Sequence, residues 1–370
     1  GKTVDFEVLG RHLRDGKDII FISRGNDDNS FLGYNLHFTD SFESKEDLAI
    51  ILNPQRVPER AIDFFYMPVG GLSGFDRDFD EIAKASTGSH LLGTLRMDVD
   101  NLGKIFREGF KNYRGFNHKP IDHYSISRVT TLSTELILFF SMAIDDLISS
   151  EAYQNKAVVV YSGGDDLFII GQWDVIPTLA LEIYDRFRNF ACDNPCFTLS
   201  AGISLTTGKY PVSRASEHAG EAEETAKSYT TGKKSKDAIC FMGSPFHWGE
   251  FRIIKDKYID AILNLEEIDR RPIIRRINLV AASYEKLMNE KRRRNKMNDA
   301  DIKKMIEAER WQWLMVYSFS RLKSKSNKSD FNEVKKSLQD YFTDKFNNQI
   351  QGVERAEVIG KWTENLTRKI

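Results

Sequence analysis

Tyr161-Ser162-Gly163-Gly164-Asp165-Asp166-Leu167-Phe168-Ile169-Ile170 decides how the rest of the chain is read. An apolar run from Ala157 to Tyr161 leads into two glycines and two adjacent aspartates, and a second run, Leu167 to Ile170, leads out. The pattern predicts a β-hairpin with carboxylates at its tip. The glycines supply the backbone freedom of a tight turn. Period-two alternation sends Asp165 and Asp166 to opposite faces of the sheet. Paired carboxylates on a rigid hairpin suit a hard divalent cation, Mg²⁺ or Mn²⁺. Gly-Asp is also common in ordinary solvated turns, so the hairpin alone leaves both readings open.

Working outward, Leu91 to Val99 reads as a strand that delivers Asp98 at its C-terminal end, with Asp100 two residues later. Asp100-Asn101-Leu102-Gly103 then turns into a short helix, whose first N–H groups can receive phosphate oxygens. Ser125 or Ser127 caps a long helix running to about Ile148, with apolar residues at helical spacing. After the hairpin, Asp174 caps a helix to about Cys192, with Pro177 tolerated in its first turn. Phe197 to Thr206 is a strand, Pro211 to about Tyr229 a helix, and Ala238 to Met242 a strand. The order is βαββαβ with an added helix and strand, the ferredoxin-like α+β arrangement. In that sheet the first strand is central, so Asp98 approaches Asp165 and Asp166. Three carboxylates so placed repel one another unless a divalent metal neutralises them, and such a site suits two-metal phosphoryl transfer.

Other residues fit a nucleotide. Lys227, late in the third helix, reaches toward phosphates, as do Lys233, Lys234 or Lys236; each is equally a surface lysine. Ser200-Ala201-Gly202 either admits a base closely or only permits helix-sheet packing.

The 370 residues suggest two or three domains. Residues 1–88 form a small α/β module with strands at Asp18 to Ser23, Leu32 to Phe38 and Ala61 to Met67 and a helix from Asp78 to Ala85. Residues 89–243 form the ferredoxin-like domain, and 244–370 a charged helical bundle around Trp311 to Phe319. Lys291-Arg292-Arg293-Arg294-Asn295-Lys296 is a solvated loop or a phosphate contact. Hydrophobic content of 41% and charged content of 29% describe a globular chain. The net charge of −1 gives no global drive toward nucleic acid or membrane. Leu136 to Ile148 is broken by Asp145 and Asp146 and is too short to span a bilayer. Three cysteines, Cys192, Cys196 and Cys240, argue against a disulfide framework and fit a reducing compartment. Cys192 and Cys196 read as small, partly buried thiols.

Leu92-Gly93-Thr94-Leu95-Arg96-Met97-Asp98-Val99-Asp100-Asn101-Leu102-Gly103 followed by Tyr161 to Phe168 resembles the second palm domain of the large polymerase-cyclase subunit of type III CRISPR effector complexes, nearest the Csm (III-A) type. Leu199-Ser200-Ala201-Gly202-Ile203 and Ala226-Lys227 match similar segments. The resemblance covers residues 60–243 well. It implies conversion of ATP to cyclic oligoadenylates through 3′–5′ linkages, with pyrophosphate leaving. It makes Asp98, Asp165 and Asp166 the catalytic carboxylates, and adds a Val99 carbonyl to their metal set. It points to Asn101, Gly103, Ser162, Gly163, Gly164, Ser200 and Lys227 as nucleotide-binding positions. It implies partners among Csm-type backbone and small helical subunits, guide and target RNA met through the complex, and a cytoplasmic setting.

Such subunits often carry an HD nuclease domain, a first palm and a Cys-rich zinc element. Here no His-Asp dipeptide occurs and the chain begins Gly1-Lys2, so it is expected to be a C-terminal part of such a subunit. Two alternatives remain: a GGDEF-like diguanylate cyclase, with Asp166 where that family has Glu, or a catalytically silent scaffold.

Overall fold

A computed structural model describes residues 78–111, 123–232, 234–292, 311–326, 328–343 and 350–369, with short strands elsewhere. Among residues 1–77 it describes the backbone of four strands: β1 (Ile19–Arg24), β2 (Tyr34–Thr39), β3 (Leu48–Ile51) and β4 (Phe64–Tyr66). They form one sheet in the order β2-β1-β3-β4. The sequence pattern predicts three of these strands, and β3 is additional to them. Most of the basic run after Lys291 lies outside the described residues.

The central sheet is built from β5 (Leu92–Val99), β8 (Ala157–Gly163), β9 (Asp166–Gln172), β10 (Leu199–Thr206), β13 (Ala238–Phe241) and β14 (Ser244–His247). Three two-stranded ladders accompany it: β6 (Tyr113–Arg114) with β7 (Pro120–Ile121), β11 (Thr230–Thr231) with β12 (Lys234–Ser235), and β15 (Lys345–Phe346) with β16 (Ile350–Gln351). The six strands run β14-β13-β10-β5-β9-β8. The β10-β5-β9-β8 part is the order expected of a βαββαβ core. β8 and β9 pair antiparallel as a hairpin, β13 runs parallel to β10, and β14 returns antiparallel on the edge. The fold is α+β, as the sequence implied.

Two compact units divide the chain. The first holds residues 1–78, 97–171 and 182–197; the second holds 79–96, 172–181 and 198–370. In the first, Ser125 caps the helix Ile126–Leu138 by accepting from the Arg128 N–H at 3.3 Å. The helix passes into a π segment, Phe139–Ala143, and resumes as Ile144–Ser149. Phe139 and Phe140 are buried and meet Phe187 and Phe190 of the helix Ile176–Phe190 at ring separations of 5.0 to 6.2 Å. Edge and tilted aromatic contacts of this kind add about 1 kcal/mol each beyond area burial.

In the second unit the helix Val212–Ser228 lies tightly on β10. A Cβ on Gly202 would meet the Ala219 carbonyl and the Glu223 N–H at 2.2 Å. Ala215, Ala219 and Ala226 complete that close face. Ser200-Ala201-Gly202 therefore serves helix-sheet packing. Farther along, Trp248 donates from Nε1 to the Leu199 carbonyl at 2.8 Å, and Trp362 of the helix Ala356–Thr367 packs on Phe241 and Phe251. Among the described residues no helix is long and apolar enough to cross a membrane. Cys240 is buried, but Cys192 and Cys196 are exposed. Both follow the last turn of a helix, in a segment where Cys192 has a φ of 50°. The expectation of partly buried thiols is corrected at those two positions.

Candidate functional site

The hairpin tip is a two-residue turn, Gly164-Asp165, between Gly163 and Asp166, which pair across the ladder. Gly164 has a φ of +67°, the left-handed region that favours glycine. Asp165 is thus a turn residue, and Asp166 is the first residue of β9. The period-two expectation that set the two aspartates on opposite faces does not apply to a residue in the turn.

One backbone bond seats β5 against this tip: the Val99 N–H donates to the Asp165 carbonyl at 3.1 Å. Asp98 therefore enters the same neighbourhood as the turn. Asp98, Asp165 and Asp166 are all half-buried, whereas Val99 and Asp100 are buried. Asn101 then takes φ 59°, ψ 22° as the N-cap of Leu102–Glu108. Asparagine tolerates that left-handed geometry better than most residues, so the Asp-Asn pair marks a sharp exit from the strand. The Asn101 carbonyl accepts from the N–H groups of Lys104 and Ile105. Gly103 is exposed, with open space where a side chain would stand.

A cavity of about 250 Å³ opens beside the turn, lined by Leu102, Gly103, Phe106, Ser133, Leu136, Gly164 and Asp165. Phe106 and Ser133 were not singled out from the sequence. Their helices were legible, but nothing local announces which residue of a helix will face a distant turn.

Ser162 has a structural partner. Its hydroxyl donates to the Phe140 carbonyl, in the π segment, where the regular i→i−4 ladder is interrupted. A Cβ on Gly163 would stand 3.5 Å from the Tyr161 hydroxyl. In the second unit, Ser200 is fully buried in β10. Lys227 Nζ contacts Glu223 Oε1 at 2.6 Å. Lys234 pairs with Asp237 at 2.9 Å, and Lys233 lies outside the described residues.

Among the described residues no group of three or more His, Cys, Asp or Glu side chains is gathered for a metal ion. The donors at the β5–hairpin junction are nonetheless all oxygen: two or three carboxylates and the Val99 carbonyl. Oxygen donors suit Mg²⁺, which is usually held by one or two carboxylates plus substrate phosphates and waters. The residues present fit a metal of that kind brought in with a nucleotide, without needing a preformed cage.

The fold that carries this junction has known counterparts. Residues 91–240 match the family model "Cas10/Cmr2, second palm domain". A Cas10/Csm1 protein (subtype III-A) from Methanocaldococcus jannaschii, named a single-strand-specific deoxyribonuclease, is 34% identical over 54% of this chain and 27% of its own length. The correspondingly named protein of Mycobacterium tuberculosis is 33% identical over 49% of this chain and 23% of its own. The chain thus matches about a quarter of the length of these relatives. Among solved structures, a Csm1-Csm4 subcomplex of the type III-A interference complex aligns with a TM-score of 0.65 at 20% identity, over 98% of this chain and 49% of that one. A Csm1-Csm4 cassette in complex with cA3 aligns at 0.61 and 20% identity, over 97% and 49%. At that identity the structural likeness speaks for the fold. Residues 91–240 are thus similar to the second palm domain of Cas10 proteins.

Proposed function

We propose that this chain contributes the metal- and nucleotide-binding palm of a type III-A CRISPR subunit that joins ATP into cyclic oligoadenylates. The Val99 N–H to Asp165 carbonyl bond carries the reading, because it fixes the end of β5 and the hairpin tip as one rigid junction. Asp98 and Asp166 would hold a divalent cation, with the Val99 carbonyl beside them and Asp165 in support. When bound, that cation would clamp the triphosphate, polarise its α-phosphate and favour the attacking 3′-oxygen as alkoxide.

The chain's own residues then chiefly position. The cavity beside Gly103 and Gly164 is smaller than the roughly 300 Å³ at which drug-sized sites begin, so it would take part of a nucleotide. Gly103 borders it, and the exposed Asn101 stands two residues earlier as the helix N-cap. Ser162 would act indirectly, by tying β8 to the π segment. Residues 89–243 would act as the palm, with 1–88 and 244–370 as accessory modules. A Csm4-type subunit is the expected partner, since the solved relatives are Csm1-Csm4 assemblies, with guide and target RNA met through the complex. The deoxyribonuclease named for the relatives is not proposed here, because only about a quarter of their length is matched.

The test is calorimetric titration of the chain with ATP and Mn²⁺. Saturable binding that disappears in Asp98→Ala and Asp166→Ala is expected; undiminished binding in both contradicts the assignment. Competition by GTP equal to that by ATP would instead favour a diguanylate-cyclase chemistry.

A further inference from the structure

The helix Trp311–Ser320 carries apolar residues on two faces. On the inner one, Met315, Phe319 and, just past the helix end, Leu322 recur at helical spacing and are buried, with Phe319 edge-on to Phe342 at 6.4 Å. On the outer one, Trp313, Val316 and Tyr317 follow the same spacing, yet Trp313 is 77% and Tyr317 55% exposed. The outward face of a helix is ordinarily polar, and packing does not account for two neighbouring exposed rings. The expectation of a bundle core from Trp311 to Phe319 holds for Met315 and Phe319 and is corrected for Trp313 and Tyr317.

Cations flank these rings. From Trp311 to Ser329 the sequence holds Arg321, Lys323, Lys325 and Lys328 and no acid. The Arg321 guanidinium lies 4.2 Å over the Tyr317 ring, a cation–π contact that leaves its edge donors in place. Arg321, Lys323 and Lys325 are exposed, and none of their charged heads meets an acid among the described residues. The loop that carries the lysines is fastened from within. Asp269, 1% exposed, accepts from the hydroxyls of Ser324 and Ser326 at 2.7 Å each, from the Lys325 N–H at 2.8 Å and from the Ser326 N–H at 3.3 Å. A carboxylate so buried is kept by its hydrogen bonds, so it fixes the loop's backbone while the lysine side chains stay exposed.

We infer that this face binds single-stranded nucleic acid, with bases stacking on Trp313 and Tyr317 and phosphates met by Arg321, Lys323 and Lys325. Charge complementarity selects that occupant. Lysine is depleted at protein–protein interfaces, whereas aromatic rings beside unneutralised cations are the composition of sites that hold a single strand. A duplex keeps its base faces within its own stack and has none to offer these rings. The chain's net charge of −1 gives no general attraction for polyanions, so binding reports this local patch. The inference is independent of the hairpin carboxylates, since it needs neither metal nor triphosphate.

The experiment measures fluorescence anisotropy of labelled oligo(dT) and oligo(U), each of about ten nucleotides, with the full chain in EDTA. At least one is expected to bind, and the corresponding duplex much more weakly. Preference for oligo(dT) or for oligo(U) assigns DNA or RNA, and either supports the proposal. Trp313→Ala and Tyr317→Ala are each expected to weaken the strand about tenfold, the scale of one stacked base, with the urea unfolding midpoint unchanged at these exposed positions. Affinity should fall with salt at a logarithmic slope of about −2 for three phosphate contacts, and Arg321→Gln should make the slope shallower by about 0.7. No binding by the wild-type chain, equal affinity for the duplex, a strict need for Mn²⁺, or full affinity in both aromatic variants overturns the proposal. Loss of capture of a small helical subunit in Trp313→Ala, with oligonucleotide affinity intact, would make the face a protein-docking surface and overturn it as well.

Discussion

The hairpin tip and the Arg355 cluster both concentrate charge, and they do so in opposite ways. Arg355 is 5% exposed and fully enclosed by partners. Its Nε and Nη2 donate to the two oxygens of Glu250 at 2.7 and 3.1 Å, Nη2 also donates to the Tyr229 hydroxyl at 3.0 Å, and the guanidinium lies 4.2 Å over the Phe246 ring. Two of its three nitrogens and one face are engaged within the protein, and burial closes the cation to solvent. The aspartates of the tip are half-buried, one in the two-residue turn and one at the start of β9, beside open space at Gly103 and Gly164. Enclosed charge holds a fold together; charge at a rigid opening is placed to meet something else.

That contrast is most sharply broken or upheld by substituting one charge in each region. Asp166→Ala should reduce Mn²⁺-dependent ATP affinity by more than about 100-fold, roughly 3 kcal/mol, while the urea unfolding midpoint hardly moves. Arg355→Ala should do the opposite. Removing one partner of an enclosed bidentate pair leaves the other charge poorly compensated, and stability should fall by about 3 kcal/mol in denaturant titration. If Asp166→Ala instead destabilised as strongly as Arg355→Ala, the hairpin carboxylates would be structural and the contrast would fail.

Gly202→Ala refines the account of the small-residue segment. A methyl aimed at helix backbone has no flexible neighbour to displace, so a loss of about 1–3 kcal/mol in unfolding free energy is expected from overpacking. A neutral result would mean that the helix can lift from β10 and that Ser200-Ala201-Gly202 is open to a ligand after all.

The smallest effect expected is a pH dependence at His247. Burial holds its pKa below the usual imidazole value, with the nearby Lys234 acting in the same direction. The unfolded chain therefore takes up its proton at a higher pH than the folded one. Stability is at its full value above the unfolded pKa, about 6.5, and is lost as pH falls below it, until the folded-state pKa is passed. The loss should be the smallest of these effects. It should vanish in His247→Asn, compared by urea titrations at pH 7.5 and 5.5.

Much of this arrangement was legible in the sequence because it is local. Alternating apolar residues around Gly163-Gly164 specify a hairpin, Ser125 announces its helix, and the order of elements around them admits few topologies. Other features depend on distant partners. β14 contains Pro245, which reads as a break but is tolerated on an edge strand. β3 has only four residues, too few for alternation to set it apart. The π segment keeps the apolar spacing of the helix around it, so its freed carbonyl, and hence the partner of Ser162, could not be read from spacing. At the site, Asp98 and Asp166 were recognisable because each sits in a compact motif. The clamp of Asp269 on Ser324 and Ser326 was not, since it joins residues more than fifty positions apart, and Ser200 looked accessible only because burial is not written in a three-residue string.

The most direct test of the central claim is anomalous diffraction from crystals of the chain soaked with ATP and Mn²⁺. A manganese peak at the junction of β5 and the hairpin, within coordination distance of Asp98 and Asp166 and continuous with triphosphate density, is predicted. Nucleotide density with manganese at any other place in the molecule, or ordered ATP with the junction empty, would contradict it.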